Sequence, residues 1–178
     1  MVRPFRQPEA EALWRLKRGF ELGLGDGTGD DEKAAAYREK LDDEYREGYL
    51  AWVRRCQDEE IRAVQVAEAG EGSAAGESGD TGATADGDDD LVGYAFVLPS
   101  SMAHIWDAAV LNELYVVPEY RGTGVADDLM DATLAVARSQ DLPLDRLVLD
   151  VDRQNDRAQA FYDRWGFEHW GEMVARDL

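Results

Sequence analysis

The stretch from Val116 to Met130, VVPEYRGTGVADDLM, constrains this chain more than any other. An apolar, strand-like pair meets a proline, then an arginine and two glycines, then the first turn of a helix. Gly122 and Gly124 stand where a strand hands over to a helix. Glycine there makes a tight turn, or lets a ligand approach the backbone with no Cβ in the way. The first four N–H groups of a helix have no intrahelical partner, and the helix dipole adds partial positive charge. Arg121, Gly122, Thr123, Gly124, Val125 and Ala126 therefore form a candidate cradle for a phosphate or diphosphate. A P-loop fits poorly, because it needs Lys and Ser/Thr where Val125 and Ala126 stand. A dinucleotide-binding turn needs a third glycine where Asp127 stands, and PEYR separates the strand from Gly122. Asp150 and Asp152, as candidate ribose-binding acids after the next strand, give that reading a little support.

The elements around this turn read as one α/β domain over residues 1–178. Val2 to Arg6 suits a short strand. Pro8 opens a helix through Leu13, Trp14, Leu16 and Phe20, and GLGDGTGDD is expected to break it. Tyr37, Leu41, Tyr45, Tyr49, Trp52, Val53 and Cys56 recur in steps of three and four, which predicts one helix from about Glu32 to Gln57. IRAVQVAEA, LVGYAFVLP and the segment ending VLNELYVV read as strands. A helix follows from about Gly124 to Gln140, then the strand RLVLDVD, then a short helix over NDRAQAFYDRW with Asn155 or Asp156 as its cap. FEHW and MVARD are expected to close a final hairpin around Gly171. The order is β-α-α-β-β-β-α-β-α-β-β, with a mixed sheet.

Between the second and third strands, Ala69 to Asp90 holds six glycines and seven acids in twenty-two residues, with no aromatic, Val, Ile, Leu or Met. Such a segment buries too little surface to offset its ordering entropy. It reads as a disordered acidic insertion in a hairpin loop, a length the hairpin tolerates because closure cost rises only logarithmically.

Charge excludes some partners. The chain has 178 residues and a net charge of −19, so nucleic acid is a poor partner. Sixteen arginines stand against three lysines, Lys17, Lys33 and Lys40. Surplus carboxylate with so little lysine suggests a protein built for high salt, where screening mutes self-repulsion. Cys56 is the only cysteine, so no intramolecular disulfide forms and a reducing compartment fits. The start MVRPFRQPEA has no apolar signal-like core, and no run approaches a membrane span. A cytoplasmic protein with no membrane partner is expected. His104 and His169 lack metal-ligand spacing, so no metal site is expected.

ELYVVPEYRGTGVADDLM resembles motif A of the GNAT superfamily of acyl-CoA-dependent N-acetyltransferases, whose core is [Q/R]-x-x-G-x-[G/A]. Arg121, Gly124 and Ala126 match that core. Some thirty residues on, NDRAQAFYDRWGF resembles the family's motif B through Asn155, Ala158, Phe161, Tyr162, Gly166 and Phe167. The resemblance spans about residues 111–167. The first sixty residues carry no matching motif, and in this family that half tends to shape the acceptor site. The resemblance implies a splay between the fourth and fifth strands, with acetyl-CoA in the wedge. Its diphosphate is expected on Gly122, Thr123, Gly124, Val125 and Ala126 beside Arg121. Its pantetheine amides are expected along Tyr115, Val116 and Val117, with Asn155 beside the arm or capping the next helix. The implied partners are acetyl-CoA and an amine acceptor, with a homodimer left open. A non-catalytic acyl-CoA-binding sensor or scaffold is the alternative.

Transfer to an amine poses two proton problems. A lysine-like amine arrives as ammonium, with a pKa near ~10, and the sulfur leaves as the thiolate of a thiol with a pKa of roughly 8.5. Tyr162 matches the motif B tyrosine that points at the thioester sulfur, and is the candidate acid. Glu113, a carboxylate inside an apolar strand, is the candidate base. Two-residue alternation places it on one face with Leu111, Tyr115 and Val117. A solvated or salt-bridged Glu113 is the plain alternative. Trp106 and Asp107, just before that strand, are expected to border the acceptor pocket.

Overall fold

The computed structural model describes residues 1–27, 31–70, 91–171 and 176, with the side chains of 25–27, 31–34 and 103–105 set aside. The strands are β1 (Val2–Pro4), β2 (Val64–Glu68), β3 (Leu91–Val97), β4 (Ala109–Val116) and β5 (Leu147–Val148). The helices are α1 (Ala10–Gly27), α2 (Asp31–Glu39), α3 (Asp43–Glu59), α4 (Val125–Arg138) and α5 (Asp156–Arg164). The strands form one sheet in the order β1-β2-β3-β4-β5. The first four run antiparallel to their neighbours, and β5 runs parallel to β4. This is the mixed α/β sheet the element order predicts.

The sheet has a core on each face. On one face Phe5, Leu13, Leu16, Tyr49, Val53, Val64, Tyr94 and Phe96 pack beneath α1 and α3. On the other, Val92, Leu111, Val116, Leu129, Met130 and Val136 pack beneath α4, with Leu147, Phe161 and Tyr162 against them. β3 is buried along its whole length, which is why LVGYAFV reads as a continuous apolar run. Cys56 is a buried helix residue whose thiol burial pushes up to about 11, leaving it unreactive.

Several boundaries differ from expectation. The helix expected over 32–57 is two helices. Asp42 interrupts it by capping α3, its carboxylate accepting from Tyr45 N at 2.8 Å. The glycines after Phe20 do not stop α1, which runs on to Gly27. Its buried side continues to Glu21, held by Lys17 one turn earlier and by Lys40. FEHW is irregular, and most of MVARD lies outside the described residues, as do residues 71–90 of the acidic segment.

β4 departs from simple alternation. Phe96 pairs with Glu113 and Val97 with Leu111, so Asn112 is an extra residue, a β-bulge. The bulge resets the parity of the strand. Leu111 joins Leu114 and Val116 on the α4 face, whereas Glu113 and Tyr115 face α1 and α3. The expected grouping of Leu111 with Glu113 is thereby overturned.

A buried ion pair fastens α1 to β4. Lys17 and Glu113 are 3% and 4% exposed, and Lys17 Nζ donates to Glu113 Oε1 at 2.6 Å. It also pairs with Glu21 at 2.5 Å. Burial alone would lower Lys17, but Glu113 and Glu21 outweigh it and hold the ammonium above its ordinary value. Burial alone would raise Glu21, but hydrogen bonds from Lys17 and Lys40 hold it below. Lys17→Met leaves the buried Glu113 without a cation and Glu21 with Lys40 alone, so it is expected to cost about 3–5 kcal/mol in denaturant unfolding at neutral pH. The raised Lys17 stabilises below the ordinary 10.5 and loses its effect as pH climbs through the folded value. The lowered Glu21 stabilises above 4.5 and loses its effect as pH falls. The wild-type advantage should therefore be flat between those limits and shrink beyond them.

Candidate functional site

The parallel pair β4–β5 is short. Ala109 pairs with Leu147 and Val110 with Val148, and no further pair follows, although β4 continues to Val116. The predicted strand RLVLDVD thus pairs over two residues only. The strands part where the Asn112 bulge bends β4. Beyond Val110 the β4 edge away from β3 has no strand partner among the described residues, so a wedge opens along Leu111 to Val116.

The wedge leads to the glycine turn. β4 ends at Val116, a single 3₁₀ turn spans Pro118–Tyr120, and α4 begins at Val125. Gly122 and Gly124 have φ of 79° and 93°, a region that strongly favours glycine, and Gly124 is the N-cap of α4. Among the described residues the amide hydrogens of Gly122, Thr123, Gly124, Val125 and Ala126 have no protein acceptor, and intrahelical bonding resumes at Asp127. Five adjacent N–H groups at the positive end of a fourteen-residue helix are a pre-built anion seat.

Two guanidinium groups lie near one another just before the turn and on α5. Arg121 Nε donates to Val116 O at 3.0 Å, and its guanidinium lies 5.8 Å from the centre of the Tyr115 ring. Burial lowers Arg157 from its ordinary value, and the neighbouring Arg121 charge lowers it further. Neither arginine pairs with a carboxylate among the described residues, in a chain of net charge −19. Asp127, one of two acids in the first turn of α4, is already engaged by Arg164 at 2.9 Å and Trp165 Nε1 at 3.0 Å. Arg157 went unnoticed in the sequence, although it sits two residues after Asn155 in the second motif.

The other expected residues are placed as follows. Asn155 caps α5, its Oδ1 accepting from Ala158 N at 3.1 Å, and its amide nitrogen has no partner among the described residues. The Tyr162 ring packs against Phe161 and Phe167, and its hydroxyl bonds to no group of the described residues. Burial pushes that phenol up to about 12, so at neutral pH it is a donor. Glu113 is ion-paired and crowded. Lys17 and Asn112 donate to Oε1, and Tyr49 and Tyr94 donate to Oε2 at 2.9 and 2.7 Å. Trp106 and Asp107 lie exposed before β4, at the paired end of the β4–β5 junction, where Trp106 meets Trp170 at 6.3 Å. Among the described residues no cluster of three or more His, Cys, Asp or Glu could hold a metal. No described helix is long and apolar enough to cross a membrane.

The arrangement suits a ligand with an amide-bearing arm along β4 and a diphosphate on the turn. Comparison with known proteins agrees. The profile of the Acetyltransferase (GNAT) family matches residues 32–167. An uncharacterized N-acetyltransferase of Mycobacterium tuberculosis is 39% identical over 93 residues, 52% of this chain and 56% of that protein. The 5-NmdU N-acetyltransferase of Pseudomonas phage PaMx11 is 40% identical over 65 residues, 36% of this chain and 43% of that protein. The matches thus span only about half the length of these curated relatives. The paia N-acetyltransferase of Thermoplasma acidophilum, solved in complex with coenzyme A, shares the fold with a TM-score of 0.65 at 21% identity. That alignment covers 94% of this chain and 89% of the other. The ribosomal-protein-alanine N-acetyltransferase of Brucella melitensis superposes with a TM-score of 0.65 at 20% identity, over 96% and 86% of the two chains. With the wedge, the bare amides and the family profile in agreement, this chain belongs to the acetyltransferase (GNAT) family.

Proposed function

We propose that this protein is an N-acetyltransferase that moves an acetyl group from acetyl-CoA directly to a primary amine. The observation that carries the reading is the run of five unengaged amides, Gly122 to Ala126, at the end of an unpaired strand edge. The turn holds the diphosphate, with Arg121 and Arg157 beside it. The β4 edge around Tyr115, Val116 and Val117 pairs with the pantetheine amides through the groups left over once Val117 N–H bonds to Val92 O and Val116 O accepts from Arg121, and the spare amide nitrogen of Asn155 reaches the same arm.

In the transfer, the amine nitrogen forms a bond to the thioester carbon and the carbon–sulfur bond breaks. An ammonium acceptor first gives one proton to solvent; the neutral amine then gives a second to water as its bond to carbon forms, the departing sulfur gains one, and the phenol that supplied it is reprotonated from water. The Tyr162 hydroxyl supplies the proton to sulfur: it is neutral, half-buried and unengaged among the described residues, so it donates without repelling a growing thiolate. For Glu113 to serve as general base, one of its four donors must first release an oxygen. Those donors support an anchoring role for this carboxylate in the resting enzyme. The acceptor reaches the wedge from the α1 and α3 side, the half outside both motifs. The acidic composition supports assays in high salt.

The test is acetyl-CoA titration followed by CoA release across small amines, amino acids, aminoglycosides and peptide amines. Binding with no release on any of them overturns the catalytic reading and favours a sensor or scaffold. Tyr162→Phe is expected to lower kcat by about 10²–10⁴-fold with acetyl-CoA affinity kept; an unchanged kcat removes Tyr162 from the mechanism. Arg157→Ala is expected to raise KM for acetyl-CoA by about tenfold or more, the size of a lost charge-assisted contact, with kcat at saturation little changed.

A further inference from the structure

Gly19 sits in the interior of α1, where glycine costs about 1 kcal/mol relative to alanine. The structure shows what fills the space of its missing side chain. A Cβ on Gly19 would lie 2.4 Å from the Tyr115 hydroxyl oxygen, 2.7 Å from Cζ and 3.0 Å from Cε1. The tip of the Tyr115 ring rests on the bare backbone of α1. The same ring carries the Arg121 guanidinium 5.8 Å from its centre. Arg121 borders the anion seat and neighbours Arg157. A contact chain therefore runs from α1, through one aromatic ring, to the arginine over the glycine turn. Gly23, on the same helix, has open space where its Cβ would be.

We propose that Gly19 is a positioning residue for acetyl-CoA binding, acting through Tyr115 and Arg121; this rests on the cofactor reading above. Adding one methyl group at Gly19 forces the Tyr115 ring to shift or α1 to back away. Either movement removes the floor beneath Arg121. The first half of the chain, which lies outside both sequence motifs, thereby sets the affinity of the cofactor site.

The experiment compares Gly19→Ala with Gly23→Ala, the same substitution in the same helix, by equilibrium titration with acetyl-CoA and by steady-state kinetics. Gly19→Ala is expected to weaken acetyl-CoA binding about tenfold, the usual reach of overpacking. Its kcat at saturating acetyl-CoA should stay within about threefold. Gly23→Ala should bind within about twofold of wild type. Equal affinity in all three proteins overturns the inference, and so does an equal loss in both variants, which marks a generic helix effect. Tyr115→Leu, which keeps Gly19 but removes the ring, gives a second test should Gly19→Ala fail to fold. A comparable loss of affinity supports the contact chain, and unchanged affinity overturns it. If wild type itself binds no acetyl-CoA, the cofactor reading falls and this inference with it; if wild type binds and only the variant predictions fail, the cofactor reading stands.

Discussion

The structure turns on the parting of β4 from β5. A strand that loses its neighbour exposes a row of backbone donors and acceptors, which is costly to bury and prone to pair with anything extended. Here the exposed row is short and begins one residue before a bulge. It leads within a few residues to a second set of unengaged groups, the amides that open α4. Two rows of unengaged backbone thus lie close together, one along β4 and one on the glycine turn, joined by the hydrogen-bonded turn of Val117 to Arg121. The buried Lys17–Glu113 pair holds the β4 row in place from behind. Glu113 directly follows the bulged Asn112, and Lys17, Tyr49, Tyr94 and Asn112 converge on its carboxylate.

A chain of net charge −19 is an unpromising receptor for a diphosphate, and the resolution is local. At high salt the screening length falls to a few ångströms, so the diffuse repulsion of the surface carboxylates dies away before it reaches the turn. Contacts made at hydrogen-bond distance by backbone amides are screened far less. Of the two acids in the first turn of α4, Asp127 already has Arg164 and Trp165 as partners, while Arg121 and Arg157 meet no acid among the described residues. The local field at the turn is therefore set by these neighbours more than by the net charge of the molecule.

What the sequence disclosed was local. The glycine turn, the helix after it and the Asn155 cap are each written in a few consecutive residues, because φ preference and capping are short-range effects. The long-range pairings were hidden. Glu113 reads equally as a base or a paired carboxylate until Lys17, ninety-six positions earlier, is seen to meet it. Alternation along β4 fails at Asn112 because a bulge depends on how the neighbouring strand registers, not on the strand's own residues. The helix over 32–57 looked continuous because the apolar period passes straight through the break; Asp42 was the available signal. Arg157 carries no distinction in sequence, since only its closeness to Arg121 makes it unusual.

The bulge also gives β4 two allegiances. Leu111, Leu114 and Val116 belong to the core under α4, while Glu113 and Tyr115 belong to the side of α1 and α3. Each face alone is an ordinary half-sheet. Together they make one strand the common wall of a half that carries the motifs and a half that carries none. α1 touches that wall at two residues, through the ammonium of Lys17 on Glu113 and through the bare backbone of Gly19 against Tyr115. Both contacts tolerate little change: one is a buried charge pair, the other a gap too small for a methyl group. The motif-free half of the chain is therefore free to vary only where it leaves those two contacts intact.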